Sequence, residues 1–268
     1  MNNALNGARV LVTRPQHQAE NLCRLIENQR GKAIRFPTLE IVGIENSLIC
    51  NSQSCPTETN PFDNLSNYDW LIFTSANAVN FAVKANSGKI AKFISTRIAA
   101  IGKSTAIELL SSGLNVDLIP TAGFDSESML AMSEMQAVDG AKLLIVKGQG
   151  GREELANVLR KRGAEVDYWD VYKRVLPTAD CSELIRLFGH HQLDVIVITS
   201  AESLRNLLDM VGEKYNKKLA ATPLVVVSQR IQRFAAEIGF TQISVAECPS
   251  DEAIVDTAIA VYNGDKSG

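Results

Sequence analysis

The chain is poor in the residues that build the commonest catalytic and metal sites. Its only histidines are His17, His190 and His191, and no Ser-His-Asp or Cys-His set is evident from the pattern. Five cysteines is an odd number, and Cys23, Cys50, Cys55, Cys181 and Cys248 are scattered through a chain too long to need disulfide stapling, which points to reduced thiols. Cys50 and Cys55 stand at C-x4-C spacing, but no second Cys or His pair completes a zinc set. No charge of one sign dominates: Lys+Arg 27 against Asp+Glu 30 gives a net charge of -3, which excludes a broad electrostatic footprint for nucleic acid. No apolar run approaches the roughly 20 residues that a bilayer requires. The opening MNNALNGARV has neither the basic head nor the apolar stretch of a secretory signal, so a cytoplasmic protein is expected.

What is present is a globular chain of 268 residues, 46% hydrophobic, which suits two α/β domains at about 150 residues each better than one. The second half echoes the first. Residues 8–36 align with 141–168, 69–79 (DWLIFTSANAV) with 194–204 (DVIVITSAESL), and 98–114 with 224–240; a weaker echo sets 124–130 beside 249–255. Each block reads as an apolar β-branched run, a polar turn and a helical apolar period, the pattern of a βα unit. The runs at 10–12, 70–73, 97–101, 143–146, 195–198 and 224–227 are nearly continuous rather than alternating. Strands of that kind are buried on both faces of a parallel sheet, with helices covering each face. Leu155, Val158 and Leu159 follow helical spacing and Gly163 ends their helix in a left-handed cap; the same logic puts Gly31, Gly113 and Gly239 at helix ends. The Pro-bearing polar stretch 46–67 is expected to be a surface loop. Segments 38–44 and 170–176 read as extended connectors with no helix after them.

In a parallel α/β sheet, ligands sit beyond the carboxyl ends of the strands, where helix N-termini present unpaired N–H groups. The turns there contain Thr13 and Arg14; Ser75 and Ala76; Gly102, Lys103, Ser104 and Thr105; Lys147 and Gly148, with Arg152; Thr199 and Ser200; and Ser228, with Arg230. Hydroxyls joined by distributed cations suit an anionic ligand. Each Ser or Thr is equally read as a plain helix N-cap, worth about 1 kcal/mol. Two nucleotide motifs fail. In Gly148-Gln149-Gly150-Gly151-Arg152-Glu153 the third glycine of a dinucleotide fingerprint is a carboxylate, and Gly102-Lys103-Ser104 has Arg97, inside a strand, where a P-loop needs its first glycine. The second is therefore expected to be a helix-capping turn. His17 reads as a solvated or capping residue, and the His190-His191 pair as exposed.

VLVTRP at 10–15, FTSANAV at 73–79, IGKSTA at 101–106, VKGQGGREEL at 146–155, GAEVDYWDVYKRV at 163–175 and ITSAESL at 198–204 together resemble the uroporphyrinogen-III synthase (HemD) family. The resemblance implies two similar doubly wound, Rossmann- or flavodoxin-like lobes joined by a two-stranded β-ladder. Lobe 1 would be 1–37 plus 173–268, lobe 2 45–167, and the ladder 38–44 with 168–172. It implies an enzyme that cyclises hydroxymethylbilane, losing water and inverting ring D, with no cofactor and no metal, as a cytoplasmic monomer in transient contact with hydroxymethylbilane synthase. Nucleic acid and membrane are not among its implied partners. The thirteen turn residues named above, from Thr13 to Ser228 without Arg152 and Arg230, would then bind substrate, and Tyr172, at the place of the family's recurrent tyrosine, would assist loss of the substrate hydroxyl. Two other readings stay open on the residues alone: a non-catalytic two-lobe sensor of an anionic ligand, and a transferase of two facing α/β domains.

Overall fold

A computed structural model describes residues 4–44, 48–49, 65–85, 96–121, 123, 125–151, 153–190 and 192–264. Most of the loop expected over 46–67, with Cys50 and Cys55, lies outside the described residues, as do Arg152 and His191. The chain divides into two compact units, Met1–Glu40 with Val175–Gly268, and Ile41–Arg174.

The first unit opens with β1 (Arg9–Val12), α1 (Gln16–Asn28) and β2 (Lys32–Arg35). The second follows with β3 (Glu40–Gly43), β4 (Leu48–Ile49), β5 (Trp70–Phe73), α2 (Ala76–Ala85), β6 (Arg97–Ala100), α3 (Lys103–Ser111), α4 (Ser126–Ala131), α5 (Ser133–Gln136), β7 (Lys142–Gly148), α6 (Glu154–Lys161) and β8 (Glu165–Val175). The chain then returns to the first unit with α7 (Ser182–Gly189), β9 (Val195–Ile198), α8 (Ala201–Val211), α9 (Asn216–Ala220), β10 (Leu224–Val226), α10 (Gln229–Glu237), β11 (Ile243–Val245) and α11 (Asp251–Gly264).

The sheet of the first unit has the order β2-β1-β9-β10-β11, every pair parallel. That of the second has β6-β5-β7-β8-β3, with β4 antiparallel on β8. The strands that the sequence repeat equates take equal places: β1 and β2 match β7 and β8, β9 matches β5, and β10 matches β6. Even the fifth position has a trace in the second unit, a parallel bridge of Ala99 to Leu118 beside β6. In each sheet the chain reverses direction of winding at one point, between β1 and β9 and between β5 and β7, and that is where doubly wound folds open a crevice.

Burial explains why these runs are strands. Leu71, Phe73, Leu144 and Val146 point to one face and pack on Ala78, Val79 and Ala82 of α2 and Leu109 of α3. Their neighbours Trp70, Ile72, Leu143 and Ile145 point to the other and pack on Met129 of α4, Met135 of α5 and Leu155 and Leu159 of α6. The first unit repeats this, with Val10, Val195 and Val225 under α1 and α11, and Leu11, Ile196 and Leu224 under α7, α8 and α10. Each such side chain, fully buried, contributes about 1.5–3 kcal/mol.

Two expectations are corrected. A helix does follow 170–176: α7 begins at Ser182 and buries Leu184, Leu187 and Phe188, a helical stripe too short to stand out. Gly113, Gly163 and Gly239 take the left-handed conformation at helix ends, but after α1 Arg30 takes it instead, with φ 60. Gly31 serves a different need, because a β-carbon there would stand 2.8 Å from Leu5 Cδ1. Gly102 is the N-cap of α3, as expected of a helix-capping turn. The segments that the resemblance assigns to a ladder, 38–44 and 168–172, contribute to the neighbouring strands β3 and β8, and β8 runs unbroken from the return strand through to Val175.

Candidate functional site

The second unit holds a cavity of about 300 Å³ at the carboxyl ends of β5 and β7, the switch point of its sheet. Thr74 and Ser75 come from the turn after β5, and Lys147, Gly148, Gln149, Gly150 and Gly151 from the end of β7 and its turn. Tyr168, Tyr172 and Arg174 come from β8, and the starts of α4 and α6 supply Ser126, Leu155 and Ala156.

The polar groups around the switch point are placed by local bonds. Thr74 donates its hydroxyl to the Val146 carbonyl at 3.2 Å, tying the two strands of the switch point. Ser75 Oγ accepts the Ala78 N–H at 3.1 Å, which makes it the cap of α2, and it lies 3.2 Å from the Tyr172 hydroxyl. The pairing of β7 with β8 slips between Lys147 and Gly148: Lys147 stands opposite Asp170 but Gly148 opposite Tyr172, so one extra residue is accommodated in β8. Such a bulge re-aims the side chain beyond it. Tyr172 consequently joins Trp169 and Val171 in the cluster under α2, its ring centroid 5.7 Å from that of Phe81, while its hydroxyl end reaches Ser75.

Lys147 is largely covered, with 14% of its side chain exposed. Its Nζ donates to the Gly150 carbonyl at 2.9 Å, lies 3.7 Å from Asp170 Oδ1 and sits 4.6 Å from the centroid of the Tyr168 ring. Burial pushes the Asp170 carboxyl above the ordinary carboxylate value, and the nearby Lys147 ammonium opposes that rise. Burial likewise raises the Tyr168 phenol, against the pull of Arg160.

Of the turn residues singled out from the sequence, Ser75, Lys147 and Gly148 meet at this cavity, with Tyr172. Ala76 is the first residue of α2 and Gly102 precedes α3; neither is on the cavity wall, nor are the exposed Lys103 and Ser104 or the buried Thr105. The remaining five belong to the first unit, around its own switch point and the start of α10. Thr13 is buried and donates its hydroxyl to the Val197 carbonyl at 3.0 Å, and Arg14 is ion-paired with Asp251, which Asn21 also holds. Ser200 caps α8 by accepting the Ser203 N–H at 3.0 Å, Ser228 caps α10 by accepting the Ile231 N–H at 3.4 Å, and Thr199 is half-buried ahead of α8. His17 and His190 are exposed. Among the described residues no group of three His, Cys, Asp or Glu side chains is placed to hold a metal ion.

Sequence reasoning passed over Tyr168, Asp170 and Arg174. The available signal was the run EVDYWDVY, where an acid falls at a position whose neighbours are all apolar or aromatic.

Comparison with known proteins shows the family and the fold. The family model described as "Uroporphyrinogen-III synthase HemD" matches residues 20–256. The chain is 30% identical to uroporphyrinogen-III synthase of Escherichia coli over 250 residues, 92% of this chain and 98% of the relative. Among solved structures, uroporphyrinogen-III synthetase of Helicobacter pylori has the same fold at a TM-score of 0.60 and 16% identity, covering 95% of this chain and 99% of that one. A mutant uroporphyrinogen III synthase of Thermus thermophilus gives a TM-score of 0.58 at 14% identity, covering 97% and 98%.

Proposed function

From the fact that the chain belongs to the uroporphyrinogen-III synthase family, we infer the reaction and the residues that carry it. The protein is a uroporphyrinogen-III synthase, an enzyme of tetrapyrrole biosynthesis acting on a small tetrapyrrole substrate. Our reading of the reaction is that linear hydroxymethylbilane loses water from its hydroxymethyl end, and the resulting electrophilic carbon attacks the substituted position of ring D. The spiro intermediate reopens and recloses with that ring inverted. A substrate that cyclises unaided to the uninverted isomer needs a catalyst that fixes one conformation, so positioning dominates.

The observation that carries the residue roles is the Tyr172 hydroxyl, held 3.2 Å from Ser75 Oγ on the wall of a cavity that also presents Lys147. In this reading Tyr172 donates a hydrogen bond to the departing hydroxyl, Ser75 orients the phenol, and Lys147 receives a substrate carboxylate. At about 300 Å³ the cavity is at the small end of ligand sites, which suits one substituted pyrrole ring rather than the whole chain. Ala76, Gly102, Lys103, Ser104 and Thr105, and in the first unit Thr13, Arg14, Thr199, Ser200 and Ser228, belong to the turns from which further substrate contacts are drawn. Gly148 contributes its backbone.

The same reading makes the enzyme a cytoplasmic monomer that receives its unstable substrate from hydroxymethylbilane synthase in transient contact. It uses neither cofactor nor metal. Resolving type I from type III products in a coupled assay tests the activity.

A further inference from the structure

Two cations stand on the described wall of the cavity, and they differ in environment: Arg174 is exposed, whereas Lys147 is largely covered. Taking an ammonium out of water is costly unless an adjacent counter-charge offsets the lost hydration. Asp170 supplies that charge from β8. It is directly opposite Lys147 in the strand register, buried to 4% exposure, and absent from the cavity wall itself. Opposite charges facing each other across two strands attract, and in a covered site the attraction is little screened. The Tyr168 ring bounds the ammonium on another side at 4.6 Å, and the Gly150 carbonyl takes one of its N–H groups. An ammonium has three donors, so capacity remains toward the cavity.

We propose that Asp170 is a positioning residue, which holds the Lys147 ammonium aimed into the cavity, where it receives one carboxylate of the substrate. This rests on the substrate reading given above. Asp170 touches no substrate in this scheme and acts through Lys147 alone.

The test is a double-mutant cycle on the full chain with hydroxymethylbilane, following type III product. Asp170→Asn is expected to raise KM about tenfold with kcat within about twofold, as loss of a charge-assisted contact made equally in ground and transition states requires. Lys147→Met should do the same, and Asp170→Asn added to Lys147→Met should change nothing more. An unchanged KM in Asp170→Asn, a loss confined to kcat, or effects that multiply in the double variant would each overturn the proposal. Asp170→Glu, which keeps the charge, should restore part of the KM.

If Asp170→Asn does not fold by circular dichroism, the wild-type protein still decides the matter. Its lysines can be 13C-methylated and the Lys147 resonance, identified by its loss in Lys147→Met, followed as the type III product is added. A shift of that resonance on binding is expected, and a resonance that does not move would overturn the proposal. Absence of type III product from wild type would instead sink the substrate reading on which the proposal rests.

Discussion

The ring of Tyr172 lies against the backbone of Gly148 so closely that a β-carbon on Gly148 would stand 2.5 Å from two ring carbons and 2.9 Å from the hydroxyl. Gly148 is thus required by contact, and the contact fixes where the phenol points. Gly148→Ala must push the ring aside. Overpacking of this kind costs about 1–3 kcal/mol, and displacement of the hydroxyl should lower kcat by about tenfold or more. Urea unfolding and turnover measured on the same preparation check both.

Tyr172→Phe keeps the ring against Phe81 and Gly148 and deletes the hydroxyl that faces Ser75. Folding stability should therefore change little, while the single-turnover rate falls by about a hundredfold if the phenol assists the leaving group. Rapid quench with enzyme in excess reads that step. A full wild-type rate would remove Tyr172 from the chemistry.

Ser200 and Ser228 are read in two ways, as caps and as substrate contacts, and substitution separates them. Ser200→Ala should cost about 1 kcal/mol through loss of the bond from the Ser203 N–H, and Ser200→Gly only a few tenths. If the serine is a cap alone, KM stays constant in both. A rise in KM shared by both variants, beyond what stability explains, marks a substrate contact.

Tyr68 gives the protein an alkaline limit. Burial, together with the hydrogen bond it donates to Asp167 Oδ2 at 2.9 Å, pushes its phenol well above the ordinary value of 10.0. Above that value the unfolded chain has lost the proton that the folded chain keeps, so stability falls as pH rises past about 10. Tyr68→Phe should flatten this fall, although Tyr168, also raised, leaves a remainder. Denaturation midpoints taken from pH 8 to 11 provide the comparison.

The strands of both switch points were legible because Trp70–Phe73, Val195–Ile198 and their repeats are short, apolar and followed by polar turns. A strand buried on both faces has no other sequence form, and repetition of the pattern compounds the signal. Strand β11 left no such trace: Ile243–Val245 is half-buried at a sheet edge and too short to show a period. At the site, Ser75, Lys147 and Gly148 were legible as turn residues after strands. The bulge in β8 was not, since it depends on a slip in pairing between Lys147 and Gly148 that only the assembled sheet contains. Tyr168 and Asp170 were hidden for the same reason, because their meaning lies in what stands opposite them.

The most direct measurement is the coupled assay. Hydroxymethylbilane is generated by the upstream deaminase in the presence of this protein, the products are oxidised, and type I and type III porphyrins are separated by chromatography. Type III is expected to replace type I in proportion to the protein added. Type I alone, in the presence of folded protein, would contradict it and leave an anionic-ligand sensor without turnover as the reading to pursue.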